Sequence, residues 1–181
     1  MRPRDSAGFT LIELLVVVAV IGILAALAVP GLLRARIAGN EASALASLRV
    51  VNSSQHVYMS ACGNGFYASQ LTILGDPPPS GTAFISPDLG SAISIDKSGY
   101  TVTMARGSES QASVNDGCNA SGTAANLTSS YYASNQPITP SGTGSRWFFT
   151  NALGTIYVSS ADDFDTQTIG NTAPSAGAVL Q

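Results

Sequence analysis

Residues Leu14–Val29 read LLVVVAVIGILAALAV, sixteen consecutive positions without a polar side chain. A helix that is apolar all round offers no face to water, so it has to be enclosed by protein or by lipid. Counted from Phe9, the segment holds 21 residues. At 1.5 Å per residue it spans roughly 31 Å, which matches a hydrocarbon core of about 30 Å. The length therefore predicts one crossing of a bilayer. The core helix of a soluble protein is the first alternative, and it lacks the polar face that such a helix carries. A secretory signal is the second, with MRPRDSAG as its basic region; here the run exceeds the usual apolar length and the small polar site precedes it.

Glu13 breaks the pattern at the start of this run. A charge at the centre of a bilayer helix costs about 2.5–3.5 kcal/mol on insertion scales, and such residues are functional by default. Orientation cannot be read from charge, because Arg2 and Arg4 flank one end and Arg34 and Arg36 the other.

The stretch GFTLIELLVVVAVIGILAALAVP closely resembles the N-terminus of type IV prepilins and of the related pseudopilins of type II secretion. The resemblance covers about Ala7 to Tyr58. It implies a leader, residues 1–8, ending at Gly8, cut by a prepilin peptidase, with Phe9 as the methylated new N-terminus. It further implies that Glu13 is the assembly carboxylate and that Pro30 kinks the helix. The partners implied are copies of the same chain in a helical filament, the peptidase, inner-membrane assembly machinery, and membrane lipid before assembly. The site implied is the inner membrane for the precursor and an extracellular filament afterwards.

Beyond Pro30 the helix is expected to resume over residues 30–61. Leu33, Ile37, Ala44, Leu48, Val51 and Tyr58 fall within one narrow arc at 100° per residue. Arg34, Glu41, Arg49, Asn52 and His56 fall outside it. A narrow apolar stripe is a packing face far more often than a cofactor site. Gly31 and Gly39 each weaken the helix by about 1 kcal/mol relative to Ala, and Gly63 and Gly65 are expected to end it.

Residues 62–181 read as a β-rich head. Strands are expected at Ala83–Ser86, Tyr100–Ala105, Ser130–Ala133, Trp147–Thr150 and Thr155–Val158, with NALG as the hairpin turn between the last two. GDPPPSG reads as a stiff connector. One long helix followed by three to five antiparallel strands gives an α+β unit, pilin-like in plan, whose first helical half (9–29) spans the membrane.

Cys62 and Cys118 are an even pair in a chain that leaves the cytosol, so one disulfide is the leading reading and two buried thiols the alternative. The expected link ties a Gly/Ser/Asn-rich loop to the helix end, unlike many pilins, which bracket the C-terminal region instead. Asp162, Asp163 and Asp165 form a weak calcium candidate like the loop of major pseudopilins, against a solvated acidic turn. Asn52, Asn119 and Asn126 each start an N-x-[ST] triplet.

Charged residues make up 10% of the chain and the net charge is -3, so no basic surface is present to hold a nucleic-acid backbone. One histidine, His56, and the lack of any G-x-S-x-G, H-E-x-x-H or P-loop motif argue against an enzyme, and no cofactor is indicated. The expectation is a structural subunit of a type IV pilus. The alternatives are the major pseudopilin of a type II secretion system and a binding domain on a single-pass anchor.

Overall fold

The structure is a computed structural model describing residues 8–161, 164 and 167–180. The calcium candidates Asp162, Asp163 and Asp165 lie outside these residues. The chain divides between Arg36 and Ile37 into two compact units.

The first unit is helical. Helix α1 (Leu11–Ala61) begins here and its assignment continues through Pro30. Proline has no N–H to offer the carbonyl four residues back, here Ala26. From Phe9 to Leu33 the large apolar side chains are exposed. Among the described residues, α1 is the one helix long and apolar enough to cross a membrane.

The second unit packs the rest of α1 against antiparallel strands, an α+β arrangement. Its elements are β1 (Tyr67–Ala68), α2 (Leu71–Gly75), α3 (Pro87–Gly90), β2 (Ser94–Lys97), β3 (Tyr100–Arg106), a 3-10 turn (Ala124–Asn126), β4 (Leu127–Thr128), β5 (Tyr131–Pro137), β6 (Trp147–Asn151), β7 (Ile156–Ser159) and β8 (Ala178–Val179). The main sheet runs β2-β3-β5-β6-β7-β8, all neighbours antiparallel, and β1 pairs with β4 in a second, small sheet.

Alternation builds the core. On β3, Tyr100, Val102 and Met104 are buried while Thr101 and Thr103 are partly open, the period of two that places alternate side chains on opposite faces. These three pack with Ala44, Leu48, Val51 and Tyr58 of α1 and with Tyr131, Ala133 and Phe148. Phe149 points the other way and joins Tyr157 and Phe164 in a second cluster, with the Phe149 and Phe164 rings stacked at 5.4 Å. The sheet is thus covered on both faces at the β6–β7 end.

Several expectations are corrected. Ala83–Ser86 is not a strand: the Phe84 and Ile85 N–H groups both donate to the Leu74 carbonyl (2.9 and 3.2 Å), and Pro87 opens a helix directly after Ser86. The sheet is also wider than three to five strands. Strand β2 arises from a two-residue hairpin at Ser98 and Gly99, with φ of 50° and 75°, the doubly left-handed turn that suits strand twist. The buried face of α1 is broader than the apolar stripe, for Glu41 and Asn52 are buried on it. Leu33 is exposed in the first unit, and Ile37 is half-buried. The stop after Ala61 matches the glycine signal: Cys62 and Gly63 N–H groups both donate to the Tyr58 carbonyl, and Asn64 and Gly65 turn left-handed.

Candidate functional site

The sequence concentrates its chemistry at the start of α1. Gly8, Phe9 and Thr10 precede the helix and are exposed, so the peptide bond between Gly8 and Phe9 lies in open, non-helical backbone. Thr10 is the residue just before the helix, and Glu13 is the third within it. Thr10 Oγ1 accepts from the Glu13 N–H at 3.3 Å, while Glu13 Oε2 accepts from the Thr10 N–H at 2.9 Å and from the Thr10 hydroxyl at 2.7 Å. This reciprocal arrangement is a capping box, which satisfies two of the amide donors that a helix start leaves open. A carboxylate in the first turn also complements the positive end of the helix dipole.

Glu13 therefore has work in the single chain, which the sequence reading missed. The signal was present as T-x-x-E directly before an apolar run. Oε2 alone carries the cap; Oε1 has no partner among the described residues. The carboxylate is thus held in place with one oxygen available. Around it Phe9, Ile12, Val16 and Val17 line a shallow apolar groove.

In the second unit the buried polar side chains hold the strands and loops to α1. Glu41 Oε1 accepts from the Ser145 N–H (3.0 Å) and hydroxyl (2.8 Å), and Oε2 accepts from Arg146 Nε (2.8 Å), with a guanidinium nitrogen of Arg146 at 2.6 Å. Burial pushes the Glu41 carboxyl up, but the bonds from Ser145 and Arg146 together outweigh it and leave the group below its ordinary value. Gln55 brackets Ala68, donating to its carbonyl at 2.7 Å and accepting from its N–H at 3.0 Å.

Cys62 and Cys118 are joined, and Asn119 beside them is a junction. It accepts from the Tyr58 hydroxyl at 2.9 Å and donates to the carbonyls of Ile73 and Asp76. Burial, with a smaller effect from Asp76, pushes Tyr58 up to about 12, so the phenol stays a neutral donor. Two of the three N-x-[ST] asparagines are buried: the Asn119 amide is spent as described, and the Asn52 amide donates to the Gly154 carbonyl at 3.1 Å. Asn126 is exposed, its amide donating to the Ser121 carbonyl at 3.0 Å. His56 is exposed, edge-on to Tyr67. Among the described residues no three His, Cys, Asp or Glu side chains gather as a metal site.

The family described as the prokaryotic N-terminal methylation motif matches residues 3–29. The chain is 42% identical over 71 residues to the type IV wide pilus major component PilA4 of Thermus thermophilus, covering 39% of this chain and 53% of that protein. It is 42% identical over 59 residues to the type IV major pilin PilA of Myxococcus xanthus, covering 33% of this chain and 26% of that one. The matched part thus spans about half or less of each relative's length. No solved structure matches significantly. Together these matches support a type IV prepilin family for the chain.

Proposed function

We propose that this chain is a structural subunit of a type IV pilus. It is made as a precursor, cut after Gly8 by a prepilin peptidase and methylated at Phe9. Its apolar 9–29 segment, helical from Leu11, holds it in the inner membrane until assembly machinery moves it into a filament of its own copies. The carrying observation is the uncovered apolar helix headed by a capped Glu13 with one free carboxylate oxygen. Such a helix needs lipid or other helices around it.

Cleavage creates an α-amino group whose reference pKa of about 7.7–8.0 leaves it mostly cationic at neutral pH. Glu13 of one copy receives the Phe9 amine of a neighbour. In an apolar filament interior an unpaired carboxylate is costly, so the pair fixes axial register more than it adds affinity. Pro30 supplies a bend between the filament-core segment and the remainder of α1.

The pseudopilin alternative shares the N-terminal motif; the weak calcium-loop likeness of Asp162, Asp163 and Asp165 that leans toward it lies outside the described residues, and no observation in the described residues favours it. Electron microscopy of material sheared from cells tests the choice. Long surface fibres containing this chain are expected; a chain confined to the envelope with no fibres contradicts the pilus reading. Intact-mass analysis of the same material is expected to give a chain starting at Phe9, eight residues shorter than the 181-residue sequence. A chain retaining Met1 contradicts the processing step.

A further inference from the structure

Two shallow grooves run along the uncovered helix of the first unit. One holds Glu13; the other is lined by Val29, Leu32, Leu33 and Arg36. The second set has the i, i+3, i+4, i+7 spacing of one helix face. It combines three apolar side chains with a guanidinium one turn beyond them, and neither capping nor the assembly step uses it.

Among the described residues the charge of Arg36 is unanswered. The described ion pairs are Lys97–Asp88 and Arg146–Glu41, so the next carboxylate along α1, Glu41, is already committed. An exposed cation at the end of an apolar groove complements an anionic amphiphile. The exposed apolar run of the 9–29 segment continues through Leu32 and Leu33, about 37 Å from Phe9 as helix, a length that tilting fits to a hydrocarbon core of about 30 Å, so Arg36 stands at headgroup depth. Its planar fork suits a phosphate bidentately.

We propose that Val29, Leu32, Leu33 and Arg36 form a subsite for an anionic phospholipid, the acyl chain along the three apolar residues and the phosphate on Arg36. The subsite rests on the membrane-anchored precursor of the proposed function. Arg34 provides the contrast. At 100° per residue it projects about 200° away from Arg36, and it is exposed but does not line the groove. Diffuse attraction to an anionic surface uses both arginines alike, whereas the subsite uses Arg36.

Native mass spectrometry of the full chain in neutral detergent tests this, with phosphatidylglycerol, phosphatidylcholine or inorganic phosphate added. The expected result is roughly fivefold retention of phosphatidylglycerol over phosphatidylcholine, as one interfacial arginine gives. Arg36→Gln removes the preference, Arg34→Gln keeps it, and millimolar phosphate does not displace the lipid. Four results overturn the subsite: equal loss in both variants, no headgroup preference, displacement by free phosphate, or an Arg36→Gln effect confined to dimers, which points to a second copy's carboxylate. Flotation with phosphatidylcholine vesicles separates the premise from the proposal. A chain that does not float has no anchor and loses both; a chain that floats without headgroup preference loses only the subsite.

Discussion

The two units use the same kinds of apolar residue for opposite ends. In the first, Leu24 is 61% exposed and Ile23 64%, and their neighbours are alike. In the second, Leu48, Val51, Tyr131 and Phe148 are 0% exposed. Apolar content is therefore a poor guide to where a chain keeps its own core. Arrangement decides: an unbroken run gives a helix with no side for water, while a stripe or a period of two gives one buried side and closes a core within the chain. The first unit leaves its apolar surface uncovered within the chain.

The same kind of truncation applied to each unit tests that division. Phe148→Ala is expected to destabilise the head by about 3–5 kcal/mol, the usual cost of emptying a filled aromatic site. Leu24→Ala is expected to change head stability by less than about 0.5 kcal/mol. Denaturant unfolding of the full chain in detergent, followed by the fluorescence of the single tryptophan, Trp147, measures both. Comparable losses would mean that the first unit is part of the head's cooperative core.

The disulfide sits at the end of α1 and closes a separation of 56 residues. Replacing Cys62 and Cys118 together by Ser is expected to cost up to about 4 kcal/mol, mainly through the freed unfolded chain. Leader removal and membrane retention should be untouched, because they belong to the first unit. Non-reducing peptide mapping establishes the linkage, and the same unfolding assay gives its worth; two alkylatable thiols in exported protein would contradict it.

Acid gives a smaller effect, again confined to the head. Glu41 lies below its ordinary value of 4.5 in the folded chain, burial opposing and the Ser145 and Arg146 bonds prevailing. A carboxylate depressed on folding adds stability above its unfolded pKa, and that stability is lost as pH falls through the folded value. Wild-type stability should therefore decline below about pH 4.5 more steeply than that of Glu41→Gln, which cannot titrate there. Equal slopes would show that the Glu41 contacts are not linked to protonation.

How much of this was readable differs between the units for a physical reason. The apolar run that forms the start of α1 stands in an uninterrupted local pattern, and so do β3, β6, β7 and the NALG turn. The strand read at Ala83–Ser86 was apolar enough, but its amides are taken by Leu74, a contact made only in three dimensions. Glu41 and Asn52 looked solvent-facing by periodicity, because their partners Arg146, Tyr131 and Thr150 come from distant strands and loops. The capping box is legible only when Thr10 is taken together with Glu13, because the cost of a carboxylate in a bilayer says nothing about the residue three positions before it.

Glu13 offers the sharpest test of the proposed pairing, because its capping contacts and its charge can be separated. Glutamine at this position keeps an acceptor for the Thr10 N–H, as T-x-x-Q also closes a capping box, but it carries no charge. Alanine removes both. The measurement is the amount of this chain in the sheared-surface and membrane fractions of cells expressing only wild type, Glu13→Gln or Glu13→Ala. Both variants are expected to be processed and held in the membrane, and both to be missing from fibres, because the proposed pairing with a neighbour's amine needs the charge. Normal fibres from Glu13→Gln would show that the cap, not the charge, is what assembly needs, and normal fibres from Glu13→Ala would remove Glu13 from assembly altogether.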